Sequence, residues 1–420
     1  MDLAELIGLR PVPCGGLLVA LTRRCPMSCA HCSTGSSLSV SEEPDPDQLL
    51  RFIGSFGTED RPEVVMLTGG EPLLLPELAA RLAVLARARG SRVALLSGMF
   101  FARGGRVPDR TMRAITALDH FSASLDVHHE REIPRADVLS ALRAVLDAGV
   151  PASIHLTGAG ADDPYLAEVV ADVRRVFGAG MPLLVNEVRP LGRAARLALP
   201  TPPGPDGSRA APCALAAWPV VAFDGTVAAC CNQWTVDRRP VPPHLRLGHI
   251  ADDDWPAVRA RSLGSPVLRM LRAVGPRRLH ERYESEPAPA GYCRSCHALA
   301  DRPEVLAGAA RDAGGRVGAL LDRLSTDQQL AAGPAALVRR MGCARYAHLV
   351  ESPARDEPPT GGGPAAGGER PAVAGPLPAV EPLPTAARTA PPAVEPPPPA
   401  AVLGLLPLIE PLPGEKRSCR

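Results

Sequence analysis

Apolar and polar positions in the first two hundred residues alternate between two periods. Short apolar runs rich in Val, Leu and Ile fall at residues 17–21, 64–67, 93–96, 121–125, 153–156 and 183–188. Each has the length and composition of a buried strand. Between them, residues 48–56, 77–89, 110–118, 136–148 and 166–177 repeat apolar positions every three to four residues, behind polar or Pro-containing starts. That spacing predicts amphipathic helices. Strand and helix alternating at this pitch predict βαβ units and a parallel sheet. Six strands are too few to close an eight-stranded barrel but enough for an open one. In such a sheet, ligands bind at the C-terminal ends of the strands.

The alternation stops near residue 200. Residues 200–300 are dense in Pro and Gly and contain Cys213, Cys230, Cys231, Cys293 and Cys296, the pattern of a small metal-stapled domain. Residues 301–350 read as one or two closing helices. Residues 351–420 hold 18 of the 48 prolines and no aromatic residue, with a near-repeat at Pro378-Ala379-Val380-Glu381-Pro382 and Pro392-Ala393-Val394-Glu395-Pro396. Such a tail is expected to be disordered and polyproline-like, because it cannot bury enough apolar surface to offset its ordering entropy. The run from Leu403 to Ile409 is read as tail composition, with a docking motif as the alternative.

Composition narrows the function by exclusion. Lys+Arg and Asp+Glu are 46 and 45, a net charge of +1, so nothing argues for nucleic acid or an anionic membrane as partner. The basic residues are nearly all Arg, with Lys416 the only Lys, a codon bias and not a phosphate-binding signal. No apolar run reaches the ~20 residues of a membrane span. The acidic start Met1-Asp2-Leu3-Ala4-Glu5 is unlike a signal peptide, so a cytoplasmic location is expected. Eleven cysteines in a reducing compartment point to metal or cluster ligation and not to disulfides.

Just after the first strand the chain reads Cys25-Pro26-Met27-Ser28-Cys29-Ala30-His31-Cys32. Three thiolates on one tight loop can hold three irons of a [4Fe–4S] cluster and leave the fourth open, as a catalytic site requires. By spacing alone, a zinc knuckle with His31 as fourth ligand is the alternative. After the second strand comes Thr68-Gly69-Gly70-Glu71-Pro72, where two glycines let a backbone edge approach a ligand closely.

Together these stretches resemble the signature of the radical S-adenosylmethionine (SAM) superfamily, over about residues 12–300. The resemblance implies a partial (βα)6 TIM-like barrel. It implies a SAM-binding [4Fe–4S] cluster on Cys25, Cys29 and Cys32, with SAM contacts from Gly69, Gly70, Glu71 and Pro72. Ser124 and Asp126, in Ser122-Ala123-Ser124-Leu125-Asp126, stand where family members place polar residues near the SAM ribose. Ser97-Gly98 departs from the Asn-Gly often found after the third strand. Arg189-Pro190-Leu191-Gly192-Arg193-Ala194 resembles a stretch that often precedes an auxiliary domain.

In the second group, Cys213 is followed by eleven residues, Gly225, four more and Cys230, and residues 220–227 read as a hairpin with an Asp224-Gly225 turn. A hairpin brings Cys213 and Cys230 together, and Cys293-Arg294-Ser295-Cys296 supplies a C-x2-C pair. This resembles the start of a SPASM domain. With no further cysteine soon after Cys296, it fits the shorter twitch form. The implied set for an auxiliary [4Fe–4S] cluster is Cys213, Cys230, Cys293 and Cys296, with four-thiolate zinc as the alternative. Cys231 is expected not to ligate and Cys14 to be core. Cys343 is read as a buried thiol or a hydrogen donor, and Cys419 has no evident role. His128, His129, Glu130, Glu187 and Arg189 border the mouth, and no catalytic residue is singled out.

The resemblance implies reductive cleavage of SAM to a 5′-deoxyadenosyl radical that abstracts a hydrogen from a substrate carbon. A net oxidation in natural-product or ribosomal-peptide maturation is expected, with the auxiliary cluster accepting an electron. A peptide epimerase, a non-catalytic electron carrier and a zinc-stapled binding module are the alternatives. The expected partners are a small-molecule or peptide substrate, a low-potential donor such as flavodoxin or ferredoxin, and a separate peptide-recognition protein. With 24 residues before Cys25, no fused peptide-binding domain is expected, which favours a small molecule.

Overall fold

The computed structural model describes residues 1–197, 211–284 and 288–351. The proline-rich segment, its near-repeat, Leu403, Ile409, Cys419 and the 199/200 domain boundary lie outside the described residues.

The six expected strands form: β1 (Gly16–Ala20), β2 (Val64–Thr68), β3 (Arg92–Ser97), β4 (His120–Leu125), β5 (Ala152–Gly158) and β6 (Leu183–Glu187). They pair in sequence order and all in parallel. The α/β class and the open parallel half-barrel follow from that order. Helix α1 (Leu3–Gly8) precedes β1. Helices α2 (Pro46–Gly54), α3 (Pro76–Ala88), α4 (Asp109–Thr116), α5 (Arg135–Asp147) and α6 (Pro164–Phe177) are the crossovers. These five begin one or two residues before the apolar periodicity marks them, because capping and proline positions open the first turn ahead of the first buried residue. Asp45 caps α2 by accepting from the N–H groups of Asp47 and Gln48, with Pro46 next in line.

The sheet does not stop at β1. After the crossovers the chain returns and adds β7 (Val220–Val221) parallel to β1, then β8 (Thr226–Ala228) and β9 (Arg246–His249) antiparallel. The strand order is β6-β5-β4-β3-β2-β1-β7-β8-β9. The hairpin turn at Asp224-Gly225 is as expected, with Gly225 at φ +85°. Five short helices that periodicity did not mark follow or flank it, α7 (Gln233–Asp237), α8 (Trp255–Gly264), α9 (Pro266–Ala273), α10 (Pro276–Tyr283) and α11 (Tyr292–Ala298), and α12 (Pro303–Ala313) opens the expected closing helices. Then α13 (Gly315–Met341) runs to a kink where Gly333 takes φ +78° ahead of Pro334. No helix among the described residues is long and apolar enough to cross a membrane.

The buried faces of β1 to β6 and the inner faces of α2 to α6 share one apolar core made mainly of Leu, Val, Ile and Ala. Cys14 lies in it, at φ +58°, as does Cys343, which is fully buried. A single ion pair ties α9 to α13. Arg272 donates from Nε to Asp322 Oδ1 at 2.9 Å and from Nη2 to Oδ2 at 2.6 Å, and its side chain is 2% exposed. Asp322→Ala strands a buried guanidinium, and urea unfolding should show a loss of about 3–5 kcal/mol. Replacing both partners, Arg272→Met with Asp322→Leu, should recover most of it.

His120 is fully buried at the start of β4. Its Nδ1 donates to the Met1 carbonyl at 3.1 Å, and its Nε2 accepts from the Ser153 hydroxyl at 2.8 Å. Burial lowers its pKa to about 4. A lowered histidine pKa means the unfolded chain binds the proton first, so stability falls as pH drops from 6.5 towards 4. The window spans at most about 3 kcal/mol. His120→Gln should flatten the pH dependence of urea midpoints between pH 7 and 4.5.

Candidate functional site

A cavity of about 510 Å³ opens at the C-terminal ends of the strands. Every strand of the half-barrel reaches it: Ala20 from β1, Thr68 with Gly69 and Gly70 from β2, Leu96 and Gly98 from β3, Ser124 from β4, Thr157 from β5, Asn186 and Glu187 from β6. Cys25, Cys29 and Cys32 all line it, on the loop that leaves β1.

That loop is held by backbone contacts on two sides. Gly70 N–H donates to Thr22 O at 2.6 Å, and Glu71 N–H to Arg24 O at 2.9 Å. The packing is so close that a Cβ on Gly69 would stand 2.5 Å from Thr22 O, and one on Gly70 2.3 Å from Arg24 O. The glycine pair is therefore required by chain against chain, in addition to any ligand approach. On the other side, Arg193 donates from its backbone N–H to Cys32 O and from Nε to Cys29 O, both at 2.9 Å.

The three thiols are electrostatically unequal. Burial, with the neighbouring Glu71, Cys29 and Cys32 charges, pushes Cys25 up to about 12. Burial also opposes ionisation of Cys32. There, hydrogen bonds from Thr34 and the Ser36 backbone and the charge of Arg193 win and hold it below the ordinary thiol value.

Glu71 and Pro72 do not line the cavity. Glu71 is fully buried. It accepts from Leu73 N–H at 3.0 Å, the Ser97 hydroxyl at 3.0 Å and Gly98 N–H at 2.8 Å. Burial raises its pKa to about 7 against those bonds. Asp126 is 1% exposed and likewise turns inward, onto His31 and His129. His31, stacked on His128 with ring centroids 4.8 Å apart, lines the cavity, and its Nδ1 is buried without a protein partner. Glu130 is taken by Arg135 and by the Tyr165 hydroxyl at 2.7 Å, away from the cavity. Arg189 lines the wall while donating to Met341 O at 2.9 Å.

The second cysteine group also assembles. Asn232 N–H donates to Cys230 Sγ at 3.4 Å, and the Asn232 amide donates to Cys293 Sγ at 3.5 Å, joining the hairpin to α11. Burial first, and then neighbouring thiols, push Cys213, Cys230, Cys293 and Cys296 all upward, with Cys293 at about 11. Buried thiols that resist ionisation together suit a site where a bound cationic group supplies the missing charge. Cys230 points inward, whereas Cys231 lines the cavity and accepts from Arg10 Nη2 at 3.4 Å. Sequence reasoning missed Arg193 and Asn232 as organisers. A Gly-Arg in the stretch after β6 was visible, but its target on the cysteine loop was not.

Three thiols on one loop, beside an orphaned imidazole nitrogen and facing a cavity, fit a cluster with one open iron and a polar ligand next to it. A cluster-bearing (βα) domain is the class this defines. Residues 19–173 match the family model described as the Radical SAM superfamily. A GTP 3′,8-cyclase of Streptomyces coelicolor is 33% identical over 149 residues, 32% of this chain and 41% of its own length. A GTP 3′,8-cyclase of Synechococcus sp. is 34% identical over 150 residues, 34% of this chain and 39% of its own. The chain thus spans about two fifths of the length of these curated relatives. Streptococcus suis SuiB bound to S-adenosylmethionine is a similar solved structure, with TM-score 0.46, 9% identity and coverage of 68% of this chain and 78% of that one. Another, anSMEcpe with bound AdoMet and Kp18Cys peptide, has TM-score 0.42, 14% identity and coverage of 70% and 99%.

The glycine packing makes a direct prediction. Gly70→Ala pushes a methyl into the Arg24 carbonyl and should cost about 1–3 kcal/mol in urea unfolding of the metal-free protein. Gly54→Ala, where a Cβ meets nothing within 4 Å, should be neutral or slightly stabilising.

Proposed function

We propose that the chain is a radical SAM enzyme that oxidises a substrate held between two iron–sulfur clusters. One observation carries this. The cavity that the cysteine triplet lines is also lined by Cys231, Asn232 and Gln233, directly after Cys230. Cys25, Cys29 and Cys32 would hold the SAM-binding cluster. Gly69, Gly70 and Ser124 are the expected SAM contacts that face the cavity. Cys213, Cys230, Cys293 and Cys296 would hold the auxiliary cluster, in the manner of a twitch domain. The bound groups supply radical formation and an electron sink. The chain's part is to place the substrate, exclude water and keep the cysteines fixed.

The wall also bears on the substrate class. Its two arginines, Arg189 and Arg193, are both committed to backbone carbonyls. An uncharged small molecule or a peptide side chain suits the mixed apolar and amide lining. Natural-product or ribosomal-peptide maturation, with a flavodoxin or ferredoxin as donor and a separate recognition protein for a peptide, is the role this supports.

Anaerobic reconstitution followed by iron, sulfide and zinc analysis tests the reading, with 5′-deoxyadenosine measured after SAM and dithionite are added. About eight irons per chain and SAM cleavage are expected. Cys29→Ala should abolish cleavage. Cys293→Ala should lose about four irons and retain it. Zinc in place of iron, with no cleavage, would overturn the reading.

A further inference from the structure

Two sulfurs of the second cysteine group meet at one residue. Cys230 follows β8 and Cys293 is the second residue of α11, so they reach the group from separate parts of the chain. Asn232 stands between them. Its backbone N–H donates to Cys230 Sγ at 3.4 Å, and its Nδ2 donates to Cys293 Sγ at 3.5 Å.

The amide can face the sulfur in one sense only. Asn232 Oδ1 caps α7 by accepting from Trp234 N–H at 3.0 Å. A backbone N–H only donates, so the amide oxygen belongs on Trp234 and the amide nitrogen on Cys293. The helix cap therefore fixes the donor. Asn232 is half-buried and lines the same cavity as Cys25, Cys29 and Cys32. One side chain thus touches both the cavity and the second group of sulfurs. It carries no titratable proton, so its donor is present at every pH at which the chain is folded.

We propose that Asn232 is a positioning residue whose paired donors raise the reduction potential of the cluster that Cys213, Cys230, Cys293 and Cys296 would carry. The inference rests on the two-cluster reading and deepens it, by naming the residue that sets how readily the second cluster takes an electron. The physical basis is general. Reduction adds negative charge that the ligating sulfurs share, and a hydrogen bond donated to sulfur stabilises that charge. The backbone bond to Cys230 survives any side-chain change, so substitutions at Asn232 read the bond to Cys293 alone.

The test uses the full chain carrying Cys29→Ala, which leaves the second group as the cluster site, reconstituted with iron and sulfide. Iron and zinc are counted, and the paramagnetic signal of the reduced cluster is followed against applied potential. About four irons per chain are expected. Asn232→Ser keeps an oxygen to cap α7 but is too short to reach Cys293. It should disfavour reduction about tenfold, a downward shift of about 59 mV for one electron, with iron content unchanged. Asn232→Asp keeps the shape and the cap, replaces the donor by an anion, and should lower the potential further. If Asn232→Ser loses iron, Asn232→Asp decides alone. A potential equal to that of the parent, with the irons retained, would overturn the proposal. So would iron loss in both variants, since Asn232 would then assemble the group and not tune it. If the Cys29→Ala chain takes up zinc or no metal, the auxiliary-cluster reading falls and this proposal with it. Iron uptake with unmoved potentials sinks the proposal alone.

Discussion

Everything at the cavity depends on how closely the backbone after β1 packs against the end of β2. The Gly69-Gly70 pair brings two stretches of main chain to hydrogen-bond distance with no side chain between them. From that edge the cysteine loop departs. Because the contact is backbone to backbone, it fixes the main chain from which the first cysteine departs. Arg193 closes the loop from the opposite side by donating to two of its carbonyls. A loop of this kind has many unpaired backbone groups, and the protein satisfies them from β2 and from the segment after β6.

Two buried carboxylates then brace the neighbouring strands. Glu71 spans from the end of β2 to Ser97 and Gly98 at the end of β3. Asp126 spans from the end of β4 back to the cysteine loop. Their electrostatics diverge. Burial dominates at Glu71 and raises it to about 7, because its partners are neutral donors. At Asp126 burial also opposes the charge, but two imidazoles outweigh it and hold the group well below the ordinary carboxylate range. The same residue chemistry thus yields a proton-sharing brace at one strand end and a permanent anion at another.

The half-barrel was legible because its strands and helices carry the two periods strongly, each buried on a face the pattern marks. The cysteine triplet and the glycine pair were legible because their chemistry is local and their spacing rigid. The helices of residues 233–298 were not, being five to ten residues long, three of them with Pro at the first or second position, with too little sequence for a period. The partners of Glu71 and Asp126 were hidden for a different reason. A carboxylate after a strand reads the same whether it turns to a ligand or into the protein. Here the deciding atoms sit 26 residues away at Ser97 and on two histidines, His31 and His129, that sequence spacing assigns to other tasks.

The pairing of β7 with β1 links these observations. Val220 and Val221 lie beside Leu18 and Val19 in parallel register, so the chain after β7 heads the same way as the chain after β1. Phe223 consequently reaches the guanidinium of Arg23, 4.5 Å from its ring centroid, at the entrance to the cysteine loop. Arg23 also pairs with Asp237 of α7, which follows Cys230 and Cys231 of the second cysteine group. The two groups of thiols are thus fastened to one continuous sheet and to each other through Arg23. The strand register therefore sets how far the cysteine loop after β1 lies from the chain after β7, the least deformable spacing a fold of this kind has.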